Sequence, residues 1–453
     1  MRTFVCLKGL VLVGVSCVGV PTPSVAVSEQ NATAKQYQFT NGRWFDGEEF
    51  RHDTFYVVDG LLTRTAPAHV DEVVDLRDGF VVPPFGEAHN HNVEGPWNID
   101  AVVRRYLEDG VFYVKIPGNI GEFTDRIRSR VNVPTSIDVV FSNGGLTATG
   151  GHPEPLYEEM LSGSRYAPIL GPIAKGWFNN RAYFSVDSEH DLVEKWKLIL
   201  SGKPDFIKIF LAHSEDFEHR TPASTLNAHS GLNPNLVPAI VRKAHGAGLR
   251  VSSHVETAED FRRAIDAGVD EITHLPGWWT SAPQNIASAR LTDEDADRAA
   301  SGRVVIITTT IAGSLMPAHR EHAAEDPHHH GGGVHRHPSL HHSDGDASAR
   351  DVMKANLRLL HRKGAQLAIG SDHAETSVAE ALHLRELGAF DNLTLLKLWC
   401  ESTPKAIFMG RRIGRLQEGY EASFLVLAGN PIERFDHVTK ILFRVKQGHV
   451  LMR

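Results

Sequence analysis

The sequence predicts an α/β protein, a (β/α)8 TIM barrel with a small β-sandwich domain built from both chain ends. Three observations lead there. Eight short apolar runs rich in β-branched residues lie between Phe80 and Ile369, most of them followed by a segment with helical spacing, which is the pattern of parallel strands joined by helices. Both chain ends instead alternate β-rich pieces with turn pairs, so they read as strands of a separate sheet. The length, 453 residues, accommodates one barrel and an appendage. An open doubly wound sheet is the competing arrangement, and a closed barrel is the more economical one.

Taken in order, residues 1–28 have the tripartite form of a secretory signal. Arg2 and Lys8 precede an apolar run from Gly9 to Val20, and small residues around Ser24-Val25-Ala26 or Ala26-Val27-Ser28 offer cleavage sites. The run falls short of the roughly 20 residues that span a bilayer. We therefore expect an exported chain, periplasmic or secreted, without stable membrane insertion. Cleavage would leave Cys400 as the single cysteine, so no disulfide framework is expected.

Residues 36–82 form the first part of the sandwich, with hairpin signals at Asn41-Gly42, Asp46-Gly47 and Asp59-Gly60. The barrel is expected over 83–404. The eight apolar runs expected as its strands begin just before that boundary: Phe80 to Val82, Val111 to Ile116, Ile137 to Phe141, Phe206 to Leu211, Leu249 to Ser252, Glu271 to Thr273, Val304 to Thr310 and Leu367 to Ile369. Leu192, Trp196 and Ile199 recur at helical spacing, as do Val237, Ile240, Val241 and Ala244, and Phe261, Ala264 and Ile265. The stretch 322–342 holds eight histidines among Gly, Pro, Asp and Ser, a composition that packs no core and follows the seventh strand as a loop. Residues 405–453 complete the sandwich, with Ser423-Phe-Leu-Val-Leu, Ile441-Leu-Phe-Arg-Val and the turn pair Gln447-Gly448.

Composition narrows the partners. With 47 Lys+Arg against 55 Asp+Glu the formal charge is −8, which argues against nucleic acid and leaves a small-molecule substrate as the expected partner. Self-association stays open. Hydrophobic residues at 42% and charged residues at 23% suit a soluble protein with a sizeable core.

The chemistry concentrates at strand ends. In Glu87-Ala-His89-Asn-His91, alternation along an extended segment puts both imidazoles on one face, where they can reach one cation. His254 closes one apolar strand, His274 another, and Asp372 follows a third. In a closed barrel those ends converge on one mouth. Four histidines and an aspartate so placed form a metal-site constellation. Lys208 interrupts Asp205-Phe-Ile-Lys-Ile-Phe-Leu in mid-strand, where burial disfavours an ammonium. Either its head meets a carboxylate, or it is a neutral amine that has captured CO₂ as a carbamate. His152 and His213 would stand on the same rim and are candidates for substrate contact. Gly144-Gly-Leu-Thr-Ala-Thr-Gly-Gly-His lacks the Lys-Ser or Lys-Thr of a phosphate loop.

On these residues the chain resembles the amidohydrolase superfamily, over nearly all of its length beyond the signal segment. The resemblance extends to the tail from Ile413 to Leu427, and within the superfamily the likeness is to the imidazolonepropionase-like and prolidase-like members with a carboxylated-lysine metal ligand, carried by Asp205-Phe-Ile-Lys208 and Thr149-Gly-Gly-His152. The resemblance implies two divalent metal ions, Zn²⁺ by ligand type with Mn²⁺, Co²⁺ or Ni²⁺ compatible. His89, His91 and Asp372 would hold one, His254 and His274 the other, and carboxylated Lys208 would bridge them. It further implies hydrolysis of an amide or cyclic-amide C–N bond, with Asp372 as the catalytic proton carrier. The substrate expected is a dipeptide or modified amino acid. Lys115-Ile-Pro-Gly departs from the Arg-Asp pair of these relatives. Two other readings compete: a periplasmic metal-sequestering protein on an inactive hydrolase scaffold, with 322–342 as its capture loop, and a mononuclear deaminase. Deaminases of the superfamily carry Glu three residues beyond the strand-five histidine, where this chain has Thr257.

Overall fold

Strands from the two chain ends share one sheet in the computed structural model, which describes residues 35–219, 230–277, 288–312 and 344–452. The signal segment and the histidine-rich stretch 322–342 lie outside the described residues. The shared sheet runs His449–Met452, Ile441–Lys446, Phe424–Leu427, Phe80–Val82, Tyr37–Phe45, Phe50–Val58, Leu61–Thr63, with Glu72–Asp75 paired beside Tyr37–Phe45. Phe80–Val82 is where the ends meet: it lies parallel to Tyr37–Phe45 on one side and antiparallel to Phe424–Leu427 on the other. Aromatic side chains fill the covered face, Phe39 edge-on to Phe424 at 4.9 Å and Trp44 against Phe55 at 4.5 Å.

Two local expectations change. Phe80–Val82 belongs to this sheet, and the first barrel strand is Phe85–Glu87. Pro83 and Pro84 separate them, because neither ring nitrogen can donate to a ladder. Asn41-Gly42 makes a bulge inside Tyr37–Phe45, with Asn41 at φ 55°, while Asp59-Gly60 and Gln447-Gly448, all four residues at positive φ, turn tight hairpins.

The barrel strands are Phe85–Glu87, Val111–Ile116, Asp138–Phe141, Ile207–Phe210, Val251–His254, Glu271–Thr273, Val305–Ile307 and Gln366–Ala368, referred to below as strands one to eight. Strands one to three pair in parallel, as do strands four to eight. Gly145–Thr147 prolongs strand three and pairs with strand four. Closure comes from the Ala88 amide donating to the Ile369 carbonyl at 2.9 Å, and from Asp205, whose amide donates to the Phe141 carbonyl at 2.7 Å.

The helices follow the expected periodicity. Glu189–Ser201 buries Leu192 and Ile199, Val237–Gly246 buries Val237, Ile240, Val241 and Ala244, and Ala258–Ala267 buries Phe261 and Ala264. Among the described residues, no helix is long and apolar enough to cross a membrane.

Candidate metal centre and active site

The strand ends deliver their side chains to one place. His89 and His91 point their Nε2 atoms at Asp372 Oδ1, at 3.7 and 3.4 Å, and His274 Nε2 lies 4.0 Å from Asp372 Oδ2. The ligand atoms of His89, His91 and Asp372 fall within 4.8 Å of one another. The imidazoles are contiguous: ring centroids of His89 and His274 are 5.0 Å apart, and those of His254 and His274 4.5 Å apart.

Backbone geometry is spent on this convergence. His274 at φ 75°, Thr309 at φ 42° and Asp372 at φ 47° all occupy the left-handed region that side chains with a Cβ avoid. The surrounding bonds hold them there. The Asp372 amide donates to the His89 carbonyl at 2.9 Å, and Ser371 gives its amide and hydroxyl to the buried Glu87 carboxylate at 2.8 Å each, tying strand eight to strand one. Gly370 permits the approach, since a Cβ there would stand 2.7 Å from the His89 nitrogen.

The electrostatics favour lone-pair donors. Burial holds His89, His254 and His274 below the usual imidazole range, and the neighbouring Lys208 adds to the effect at each. His274 Nδ1 is bonded to the Thr309 hydroxyl at 2.7 Å, leaving Nε2 toward Asp372. Burial raises the Asp372 carboxyl to about 6, against the pull of Lys208.

Lys208 lies in strand four beside Gly145, where an added Cβ would come within 3.1 Å of its Cγ. It is 1% exposed, and Nζ has no hydrogen-bond partner. Burial lowers its ammonium to about 7, and its charge acts on His89, His91, His254, His274 and Asp372. The six expected ligands therefore share one neighbourhood. An orphaned, fully buried amine next to four imidazoles and a carboxylate is a donor set that fits divalent ions of the Zn²⁺ type.

Of the two rim histidines, His152 is brought in and His213 is held slightly apart. His152 stacks on His254 at 4.8 Å and meets Phe210 edge-on at 5.3 Å. His213, at φ 50°, sits between Glu215, 3.4 Å from Nδ1, and Glu256, 3.2 Å from Nε2. Those carboxylates raise its imidazolium to about 10.

Several residues of this centre carried no weight in the sequence. Glu256 joins His254 to His213. Buried Asp260 accepts the amides of His213, Ser214, Glu256 and Thr257 and thereby clamps the loops after strands four and five. Its signal was legible as Thr257-Ala-Glu-Asp260, a capping box that starts helix Ala258–Ala267. Thr257 is used as that cap. Glu380 does the same for strand seven, accepting from the amides of Thr310 and Ile311. Lys115, at the departure from the expected Arg-Asp pair, forms a buried ion pair with Glu271 at 2.5 Å.

Comparison with known proteins agrees with the geometry. The family model described as the amidohydrolase family matches residues 211–451, more than half of the chain. The chain belongs to the amidohydrolase family. This amidohydrolase is similar in fold to a Xaa-Pro dipeptidase crystallised with methionine in its active site (16% identity, 92% of this chain and 100% of that one, TM-score 0.66). It is also similar to A. niger ochratoxinase (16%, 92% and 96%, TM-score 0.65) and to molinate hydrolase (15%, 92% and 95%, TM-score 0.63). At such identities the likeness is one of fold. No curated protein matches the sequence. As a family member the chain is a metal-binding hydrolase acting on carbon–nitrogen bonds.

Proposed function

We propose that this amidohydrolase cleaves an amide or cyclic-amide bond of a small molecule, with a dipeptide or modified amino acid as the substrate class, using two divalent ions. The observation that carries the reading is Lys208 Nζ, buried without a hydrogen-bond partner among His89, His91, His254, His274 and Asp372. His89, His91 and Asp372 would hold one ion and His254 and His274 the other. When bound, the ions supply Lewis acidity toward the scissile carbonyl and lower the pKa of water toward about 7.

The chain's own groups do the rest. A neutral Lys208 amine can add to CO₂: a bond forms from Nζ to carbon, one proton leaves, and the resulting carbamate, with one negative charge shared by two oxygens, would help to hold the ions. Asp372 Oδ accepts a proton from the attacking water and returns it to the leaving nitrogen, so that an amine departs in place of an amide anion. Glu87, Asp260 and Glu380 keep the strand-end loops fixed while this happens. His152, stacked on His254, contacts the substrate from the rim, and His213 does so from the loop after strand four. From the segment 1–28 we further propose that the enzyme acts after export, which N-terminal sequencing of the mature protein checks.

Zn- and Mn-loaded protein, with the metal-free form as control, should be assayed on dipeptides, acyl amino acids and hydantoin-like rings. Turnover by a loaded form and not by the control is expected. Confirmed occupancy without turnover of any member would remove the substrate class.

A further inference from the structure

We propose that Arg165 is a specificity-determining residue that takes the free carboxylate of the substrate, so that the enzyme prefers dipeptides and acyl amino acids to their carboxamides; the inference rests on the hydrolytic reading above. The residue is carried on an excursion of the chain after strand three. Asp187 closes its neck, accepting the Thr149 amide at 2.9 Å and the Thr149 hydroxyl at 2.6 Å. Beyond that neck the helical segment Leu156–Tyr166 packs with Phe178 and Tyr183 on Ile120 and Phe123, which follow strand two, and together they form a small apolar core of their own. The rings of Tyr157 and Tyr166 stand 5.3 and 5.2 Å from that of Phe178.

Two contacts seat this excursion beside His91. The Tyr157 hydroxyl donates to the Gly118 carbonyl, and Gly118 backs the imidazole: a Cβ added there would stand 3.6 Å from His91 Cε1 and 3.9 Å from the Tyr157 oxygen. Further along the same segment, Arg165 Nη1 donates at 2.8 Å to Oε1 of Glu94, which lies on the chain that has just left His91. The pair is unequal. The Glu94 side chain keeps 12% of its surface, with the Tyr166 hydroxyl 3.4 Å from the same oxygen, whereas Arg165 keeps 42%. Glu94 is therefore the anchor and the guanidinium the open end. Among the described residues Nη1 alone is engaged, which leaves the Nε and Nη2 donors of a fork that matches the two oxygens of a carboxylate. Its charge reaches His91, one of the groups assigned to the first ion. In a dipeptide or an acyl amino acid the carboxylate stands one carbon from the scissile nitrogen, so a guanidinium held at the edge of the metal centre is suited to meet it. Because Glu94 already fixes that guanidinium, little ordering is left to lose when the substrate arrives.

The test compares metal-loaded wild type, Arg165→Met and Arg165→Lys on each substrate that the panel yields and on its carboxamide. Wild type should favour the carboxylate by roughly 10- to 100-fold in kcat/KM. Arg165→Met should lose that preference mainly through a higher KM for the carboxylate. Arg165→Lys should recover part of it, since the charge returns without the fork. An unchanged preference in Arg165→Met, an equal loss on both members of each pair, or a wild type without preference would overturn the inference and leave the hydrolytic reading standing. Confirmed occupancy without turnover of any member would remove the hydrolytic reading, and calorimetric binding of N-acetylglycine against N-acetylglycinamide then decides the inference. Tighter binding of the carboxylate by wild type, lost in Arg165→Met, is expected; equal binding of the two compounds, or none, overturns it. Arg165→Gln takes the place of Arg165→Met should the latter not fold.

Discussion

Among the described residues three lysines are buried, and two of them are matched while one is not. At the junction of the shared sheet with the barrel, Lys446 is fully buried, donating to Asp138 at 2.8 Å and to the Val133 carbonyl at 2.9 Å. Asp138 also takes Arg411 at 2.8 Å, and Arg411 reaches Glu421 at 2.5 Å. Inside the barrel Lys115 is neutralised by Glu271, which also accepts the Ser252 hydroxyl at 2.7 Å. At the mouth, Lys208 is equally buried and has no such partner. The fold offsets the other two buried ammonium groups with carboxylates, and the one it leaves uncompensated lies in the centre we propose for the chemistry.

The largest break of this comparison is Lys208→Met. Turnover should fall below detection, a greater loss than the roughly 100-fold expected from an outer partner. The thermal midpoint of the metal-free protein should hold or rise, because an uncompensated amine is replaced by an apolar chain of similar length. A destabilised variant would place Lys208 with the structural lysines. Next comes Asp138→Ala, which strands Lys446 and Arg411. It should cost about 3–5 kcal/mol in denaturant unfolding and leave metal content unchanged. Loss of ions there would mean that the junction and the mouth are not separable.

A pH series sharpens the contrast. Burial holds the folded Lys208 ammonium at about 7, below the value of about 10.4 in an unfolded chain. Between these values the unfolded state binds the extra proton, so stability of the metal-free protein should rise with pH across that window. Lys208→Met lacks this gain. Its stability advantage should therefore be largest below about pH 7 and close toward pH 10, by a few kcal/mol at most. A pH-independent difference between the two would contradict the uncompensated state. The smallest effect is Glu380→Gln, which weakens one clamp. About 1–3 kcal/mol is expected, with a rise in KM and little change in metal content, measured by steady-state kinetics on whichever substrate the panel yields.

Much of the centre was legible because a barrel turns strand order into convergence. His89, His91, His254, His274 and Asp372 each follow an apolar run, and closure alone brings such ends together. Lys208 stood out because a charge in mid-strand has no surface to reach. The supporting residues were harder to see. Glu256, Asp260 and Glu380 look like solvent-facing acids on helices or loops, and only the tertiary fold turns them onto backbone amides and imidazoles. Asn41-Gly42 carries the dipeptide of a hairpin, yet tight packing, with Leu76 within 2.7 Å of a Cβ placed on Gly42, fits a bulge. Phe80–Val82 and Phe85–Glu87 were indistinguishable by composition, and the two prolines between them decided which sheet each joins.

The pairing of Phe80–Val82 with Phe424–Leu427 also sets a schedule for biosynthesis. The segment that leads into His89 and His91 acquires its second neighbour only after more than three hundred further residues have been synthesised. Until then that strand has an open side, and the first pair of imidazoles hangs from an unfinished anchor. Under the proposed export, a chain translocated before the carboxyl-terminal strands emerge would therefore cross with that anchor still unfinished.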